Sequence, residues 1–141
     1  MFTRRTGCFF ILTVVSFLII SCANKQERLL GAAGNGDLET VKYLISNGAN
    51  INCKNEEGES PLSYAIMWEH EAVVQYLVSN GADPNIRNNL GMTPLFMVHK
   101  PNYAAILLSH GANINAISND GNTVLSYAIS NAFGSVEGHL K

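Results

Sequence analysis

Cysteine and histidine are the side chains in this sequence that could serve as nucleophile or base. Cys53 is the candidate nucleophile, and His70 and His110 are candidate bases. Catalysis needs such groups to converge in space, but Cys53 aligns with Ile86 and Ala116 in two later segments of similar sequence. We therefore interpret Cys53 as a buried structural residue and both histidines as local turn or cap residues. The sequence predicts no catalytic site, and we do not expect an enzyme.

Metal and phosphate chemistry are not indicated either. No two histidines have metal-ligand spacing, and no glycine-rich loop follows a predicted strand. Glu56, Glu57 and Glu59 could attract a cation, but we interpret them as the solvated, charged tip of a loop. We expect no metal, no other cofactor and no small-molecule substrate.

The first two dozen residues have the order of a secretory signal. Arg4 and Arg5 precede an uncharged apolar run, Cys8 to Ile20, which is shorter than the about 20 residues that a spanning helix needs. The following Ile19-Ile20-Ser21-Cys22 resembles the lipobox of bacterial lipoproteins. This resemblance implies removal of residues 1–21 and a covalent lipid, with acyl chains such as palmitate, on Cys22. An uncleaved membrane anchor is the alternative.

The mature chain has the charge and cysteine content of an exported, lipid-anchored protein. Loss of residues 1–21 leaves seven basic against eleven acidic residues. Because the basic residues are scattered, nucleic acid is not an expected partner. Only Cys22 and Cys53 remain, so no internal disulfide is available. Position 23 is alanine and not the aspartate that retains enteric lipoproteins in the inner membrane, so we expect the outer membrane, facing the periplasm. Because this sorting rule does not hold in every bacterial group, the inner membrane stays an alternative.

Two short motifs recur in one register along the rest of the chain, which is the signature of a repeat protein. A Gly-Ala motif begins at Gly48, Gly81 and Gly111, at intervals of 33 and then 30 residues. A second motif, related to Gly-X-Thr-Pro-Leu, keeps the same intervals and begins at Gly58, Gly91 and Gly121. Because both motifs recur at the same intervals, their recurrence is not explained by coincidence.

Each motif marks one end of a helix. Glycine closes the last helical turn by adopting the left-handed conformation. Ser60-Pro61 and Thr93-Pro94 mark helix starts, where the hydroxyl caps a free amide and proline occupies the first turn. Between the motifs, apolar residues such as Val73, Val74 and Leu77 have helical spacing. Each unit is therefore predicted to contain a helix pair followed by a loop.

These residues resemble the ankyrin repeat, in which Gly-X-Thr-Pro-Leu-His opens a helix pair and Gly-Ala precedes a hairpin. The resemblance implies an all-α solenoid of helix-turn-helix units with projecting β-hairpin or loop fingers. We expect about three repeats and a truncated fourth within residues 28–141, after a short tether at residues 22–27. The predicted repeats are residues 28–52, 53–85, 86–115 and 116–141.

Two departures from the family pattern affect the packing between units. Ser63, Phe96 and Ser126 replace the motif's histidine, so the hydrogen bonds that this histidine makes between repeats are lost. The third unit lacks three residues at the position of Trp68-Glu69-His70, and Pro101 follows Lys100 directly. We therefore expect its first helix to be short.

The fourth unit is incomplete. Leu140 falls at the position of Leu77, so the sequence ends within the predicted second helix. Val124, Leu125 and Ile129 are then expected to be poorly covered. Fraying, self-association and a longer repeat array are three alternatives.

The ankyrin resemblance implies protein binding through a concave surface made of fingers and first helices. Trp68 is the only tryptophan, and tryptophan is enriched among residues that dominate interface energies. The alternative is that Trp68 packs on a neighbouring repeat and seals the stack. The candidate contact residues are Glu56, Glu57, Glu59, Met67, Trp68, Asn89, Leu90, Met92, His99, Lys100, Asn119, Asp120, Asn122, Ser130 and Asn131.

The sequence thus predicts a protein-protein interaction module anchored in the bacterial cell envelope. Two alternatives of the same class are an immunity-type partner that shields a periplasmic enzyme and a displayed effector that contacts a host. An enzyme that uses Cys53 for hydrolysis or redox chemistry is the alternative of a different class.

Overall fold

The computed structural model describes residues 24–134. The predicted signal peptide, the lipidation site at Cys22 and the predicted end of the fourth repeat at residues 135–141 lie outside the described residues. Among residues 24–134, no helix has the length and apolar content needed to cross a membrane.

Within residues 24–134, six α-helices and one 3₁₀ helix follow one another, and they confirm the predicted all-α solenoid. Residues 24–27, which we expected in a tether, are already helical. The helices are α1 (residues 24–35), α2 (Leu38–Ser46), α3 (Pro61–Met67), α4 (Glu71–Ser79), the 3₁₀ helix (Pro94–Met97), α5 (Pro101–Ser109) and α6 (Val124–Gly134).

The helices form two rows, as stacked helix pairs require. The second helices of the first three units, α2, α4 and α5, pack in succession. In the row of first helices, α3 contacts the 3₁₀ helix, which contacts α6. Within the second unit α3 packs on α4. Each of these contacts joins helices of one unit or of adjacent units, which is the architecture of a repeat solenoid.

One apolar core runs through the stack because α1 to α5 each contribute buried residues to it. The main cluster includes Leu29, Leu44, Leu62, Leu77 and Leu107, one from each of five helices. A smaller cluster contains Met92 and Phe96 of the third unit and Ala116, the first residue of the fourth. There the ring of Phe96 meets Tyr127 of α6 edge to face, with ring centroids 5.7 Å apart. Both clusters bury apolar surface that a single helix pair cannot cover.

The helix ends confirm the predicted roles of glycine and of Ser60. Gly48, Gly81 and Gly111 have φ values of 82°, 91° and 88°, in the left-handed region that closes a helix. The Ser60 hydroxyl accepts a hydrogen bond from the Ser63 amide at 3.2 Å and so caps α3.

The predicted cap at Thr93 is wrong, although the short first helix of the third unit is confirmed. Residues Pro94–Met97 form a 3₁₀ helix, and Lys100 is extended before Pro101, as the residue before a proline prefers. In this tighter turn the Phe96 amide donates to the Thr93 carbonyl at 2.9 Å. The amide that the Thr93 hydroxyl was expected to cap is therefore already paired.

Candidate functional site

Three loops project from the stack and share one backbone hydrogen-bond pattern. We call residues 54–60, 87–93 and 117–123 the first, second and third fingers. In the first, the Asn55 amide donates to the Glu59 carbonyl at 3.1 Å, and the Gly58 amide donates to the Asn55 carbonyl at 3.0 Å. The same two bonds recur in the other fingers. The repeated turn geometry sets the three tips side by side.

Asparagine side chains join the tips of neighbouring fingers. The Asn89 backbone amide donates to the Glu57 carbonyl at 3.0 Å, and its side-chain amide donates to the Glu56 carbonyl at 2.7 Å. Asn119 repeats this contact one unit later, donating to the carbonyls of Leu90 and Asn89 at 2.9 and 3.0 Å. Two predicted contact residues, Asn89 and Asn119, therefore already use their side-chain amides within the protein.

A second set of amide contacts joins the bases of successive units. The Asn52 side-chain oxygen accepts from the Asp83 amide at 2.8 Å, and that of Asn85 accepts from the Asn113 amide at 2.7 Å. The Asn85 side chain also donates to the Gly111 carbonyl at 2.9 Å. These bonds connect neighbouring units in the absence of the motif's histidine. The aligned positions of Asn52 and Asn85 are the sequence signal that could have predicted them.

His70 connects two units, which corrects its interpretation as a local turn residue. Its Nε2 lies 2.9 Å from the Gly34 carbonyl in α1, and its side chain makes no cap bond to α4. Gly36 has φ 73°, and a Cβ at this position would lie 2.4 Å from Nδ1 of His70. The imidazole therefore fits against a residue that has no side chain. His110 remains local, as expected, because its Nδ1 lies 2.9 Å from the Ile106 carbonyl.

Trp68 lies at the end of α3 with one edge against the first unit. A Cβ on Gly34 would lie 3.5 Å from Cδ1 of Trp68. Trp68 is nevertheless 61% exposed, and Met67 beside it is 38% exposed. The backbone then turns through Glu69, whose φ is 61°. Trp68 therefore lies close to Gly34 of the neighbouring unit and presents most of its surface to solvent, and its contact with a partner stays a prediction.

Two candidate contact residues are less available than the sequence suggested. Met92, expected on the surface, lies in the buried cluster with Phe96. Glu59 is half-buried, and its Oε1 accepts a hydrogen bond from the side chain of Asn88. Asn88, which sequence reasoning missed, also accepts from the amides of Leu90 and Met92 at 3.0 Å and shapes the second finger.

The other candidates lie on the surface, in two regions. Lys100 forms an ion pair with Glu69 beside Trp68, and this hydrogen bond raises the pKa of the lysine. His99 is exposed next to it. Leu90 and five polar residues lie on the fingers or the last helix, exposed except for the half-buried Asn122: Glu56, Glu57, Asp120, Asn122 and Ser130. Asn131 is also exposed on α6.

Cys53 has the environment of a core residue. Its side chain is buried, and the thiol donates to the Gln26 carbonyl in α1 at 3.8 Å. Burial raises the pKa of the Cys53 thiol from 9.0 to about 11. Because the thiolate is the nucleophilic form, this environment disfavours attack by Cys53 at neutral pH. Within residues 24–134, no three His, Cys, Asp or Glu side chains are grouped to hold a metal ion.

The sequence matches the family model for ankyrin repeats, three copies, over residues 11–88 and 29–117. It is 35% identical over 52 residues to an ankyrin repeat protein of Rickettsia felis, which covers 37% of this chain and 82% of that protein. It is 45% identical over 40 residues to an ankyrin repeat protein of Acanthamoeba polyphaga mimivirus, covering 28% of this chain and 31% of that protein.

A third relative is a much larger protein. The chain is 37% identical over 51 residues to the Arf-GAP with coiled-coil, ANK repeat and PH domain-containing protein 2 of Gallus gallus. This match covers 36% of the chain but spans only 6% of that relative. The family model covers most of this chain, and the paired helices and fingers have the expected geometry. The chain belongs to the ankyrin-repeat family.

Proposed function

We propose that this chain is a protein-binding module of the bacterial cell envelope. In this proposal a lipid on Cys22 holds the chain to the outer membrane on its periplasmic side, and the fingers and first helices contact a protein partner. The proposal assigns no catalytic residue. The observation that carries it is the exposed face of Trp68 in a chain built from ankyrin repeats.

Trp68 supports the proposed binding surface because exposure of its large apolar ring to water costs free energy unless a partner covers the ring. Large aromatic side chains contribute most to binding when they are fully desolvated. One edge of Trp68 lies close to Gly34, and most of the side chain is open to a partner. Met67 extends the same apolar surface. We infer that the partner places an apolar group over Trp68.

The finger tips support a partner with basic groups. Glu56 and Glu57 are exposed at the tip of the first finger, and Asp120 is exposed at the third. Within the described part of the chain, the ion pairs are Lys42 with Glu39 and Lys100 with Glu69. The carboxylates at the tips are thus available to a lysine or arginine, which contributes to association rate and specificity.

Capture of the partner from native envelopes tests the binding surface. A full-length chain with Trp68→Ala, Glu56→Lys and Glu57→Lys is expected to recover much less partner, because the anchor is removed and two charges are reversed. Tyr43→Ala is the matched control, since Tyr43 is an aromatic side chain with the same 61% exposure on the second-helix row. Recovery that is equal in all three chains would remove the proposed surface.

The membrane anchor is tested separately. The proposal rests on Ile19-Ile20-Ser21-Cys22 and predicts that the mature chain begins at a lipid-modified Cys22. Mass spectrometry of the membrane-extracted chain is expected to show this modification, and Cys22→Ser is expected to abolish it and to release no mature form. An intact Ser21-Cys22 bond in the parent chain would contradict the anchor and leave the binding surface untouched.

A further inference from the structure

The bases of the second and third fingers border a polar cleft of about 480 Å³. Its lining includes Asn85, Arg87, Thr93, Asn113, Asn115 and Ile117. None of the described residues that line the cleft carries a carboxylate, and Arg87 is the charged one among them. We call this site the Arg87 cleft.

The charge of Arg87 is less engaged within the protein than that of its equivalent in the first finger. Lys54 occupies the same position there, and its Nζ donates to the Arg87 carbonyl at 2.8 Å. The Arg87 guanidinium donates instead to the neutral side-chain oxygen of Asn119 at 3.3 Å. Within residues 24–134, Arg87 takes part in no ion pair. Its other N–H groups are therefore available to an anion.

The hydroxyl at the end of the second finger is also unmatched. Its equivalent in the first finger, Ser60, accepts a hydrogen bond from the Ser63 amide and lies 3.2 Å from the Ser63 hydroxyl. Thr93 is 4% exposed, and its Oγ1 has no hydrogen-bond partner among the described residues. A buried polar group without a partner is unfavourable unless a bound molecule completes its hydrogen bonds.

Two asparagines add N–H donors at the base of the third finger. The side-chain oxygen of Asn113 accepts from the Asn115 amide at 2.9 Å, and the Asn113 Nδ2 group has no partner in the described part of the chain. The Asn115 side chain has none there either. Asn85 differs, because its side chain bonds both the Asn113 amide and the Gly111 carbonyl. Unused donors therefore lie on both sides of the cleft.

These groups fit a carboxylate. A guanidinium binds the two oxygens of a carboxylate through parallel N–H donors, and the amides of Asn113 and Asn115 can donate to the same group. Ile117, which is 50% exposed, and Ala116 offer apolar surface to a short methylene stem. A basic or purely apolar group would leave the donors unpaired. The chemistry therefore matches an aspartate or glutamate side chain.

We propose that the Arg87 cleft binds a carboxylate of the protein partner, carried on an aspartate or glutamate side chain. Arg87 provides the opposite charge, and Thr93, Asn113 and Asn115 donate further hydrogen bonds. The inference rests on the proposed protein binding for the source of the carboxylate. Basic groups of the partner then meet the acidic finger tips while an acidic group enters the cleft, and this charge pattern fixes one orientation of the partner.

Titration with a small probe tests the cleft in the absence of the partner. The probe is N-acetyl-glutamate methylamide, added at constant ionic strength to the isotopically labelled full-length chain in non-ionic detergent. Nuclear magnetic resonance is expected to show saturable shifts of the side-chain N–H signals of Arg87, Asn113 and Asn115, with an affinity in the millimolar range. The neutral glutamine analogue is expected to give no saturable shift. Saturable binding of inorganic phosphate without binding of the glutamate probe would overturn the carboxylate site.

Two matched variants test the role of the charge. Arg87→Gln is expected to weaken probe binding about tenfold or more, because the group that pairs with the carboxylate is lost. Lys54→Gln makes the same loss of charge at the equivalent position, where the ammonium group already binds a carbonyl. It is expected to leave the affinity within about twofold of the parent value. Equal affinities of the parent and Arg87→Gln chains, or no saturable shift in the parent, would overturn the proposal.

Thr93→Val tests the unpaired hydroxyl. This variant is expected to bind the probe several-fold more weakly, because it lacks the donor while keeping the shape of the side chain. Circular dichroism verifies that each variant is folded. The probe does not involve Trp68, so failure of the carboxylate site leaves the capture experiment with Trp68→Ala as a separate test of protein binding.

Discussion

Cys53 shows how the fold suppresses the chemistry of a single residue. Its burial raises the thiol pKa from 9.0 to about 11, so the folded state keeps a proton that the unfolded chain loses in this window. Stability should therefore fall as the pH rises from 9.0 towards 11. We expect Cys53→Ala to remove this part of the alkaline destabilisation, up to about 2 kcal/mol. Urea unfolding at both ends of the window measures it.

The test compares how steeply the free energy of unfolding falls with pH in the parent chain and in the Cys53→Ala chain. It does not compare their absolute stability, because Cys53→Ala also leaves a small cavity. Tyrosines and lysines that ionise in the same window affect the parent and the variant alike. Identical slopes for the two chains would show that the thiol is not desolvated in the folded protein.

Ser60 and Thr93 occupy equivalent positions but should respond in opposite ways to loss of the hydroxyl. Ser60 caps α3, and Ser60→Ala should cost about 1 kcal/mol. The buried Thr93 hydroxyl has no hydrogen-bond partner among the described residues. Thr93→Val keeps the shape and removes the unpaired group, so stability should be unchanged or rise by up to about 1 kcal/mol. Urea midpoints compare the two, and an equal loss in both would restore the predicted cap.

Ser60 and Thr93 also show which part of the structure the local sequence could not predict. Ser60-Pro61 and Thr93-Pro94 have the same local signal, and the sequence predicts the same cap for both. The difference comes from a three-residue deletion further along the chain, which converts an α-helical turn into a 3₁₀ turn. In that turn the Phe96 amide bonds to the Thr93 carbonyl and not to the Thr93 hydroxyl. The deletion is visible in the sequence, but its effect on an amide several residues earlier depends on the packing.

At the scale of elements, the fingers depend on close contact between neighbouring turns. Gly58 and Gly121 occupy equivalent turns with φ of 80° and 78°. A Cβ on Gly58 would lie 2.8 Å from the Asn89 amide nitrogen, whereas the same atom on Gly121 meets nothing within 4 Å. The left-handed backbone costs both alanine variants about 1 kcal/mol. Gly58→Ala should lose a further 1–3 kcal/mol or so through overpacking.

Urea unfolding of Gly58→Ala and Gly121→Ala measures this difference directly. Gly81→Ala is a second control, because Gly81 has φ 91° and open space around its Cα in the centre of the stack. It excludes the explanation that Gly121 is tolerant only because it lies in the last unit. Equal losses in all three chains would show that the fingers are not coupled through Asn89.

The helices were more predictable than the contacts between fingers. Glycine, proline and apolar spacing report local backbone geometry, and they predicted the start of α3 and the C-terminal ends of α2, α4 and α5. An asparagine on a loop has the same local signature whether it faces solvent or a neighbouring finger. We predicted Asn89 and Asn119 as partner contacts, and their side chains instead bond adjacent fingers. Only the three-dimensional stacking brings those residues together.

At the scale of the whole molecule, the two ends of the solenoid differ. The first unit ends in the polar surface of α1, and Leu29 and Ala33 of this helix are fully buried against the stack. The last described unit packs on the stack through the contact of α6 with the 3₁₀ helix, which includes the rings of Phe96 and Tyr127. Because each unit is stabilised by its neighbours, a unit with one weak interface should open independently of the centre.

Hydrogen exchange tests this asymmetry. Amides of α6 should exchange faster than those of α3, although the two helices occupy equivalent positions. The reason is that Leu62 and Ile66 are buried by α4, while Leu125 and Ile129 remain exposed. Equal protection of α3 and α6 would mean that the stack opens as one cooperative unit and would contradict a weak last unit.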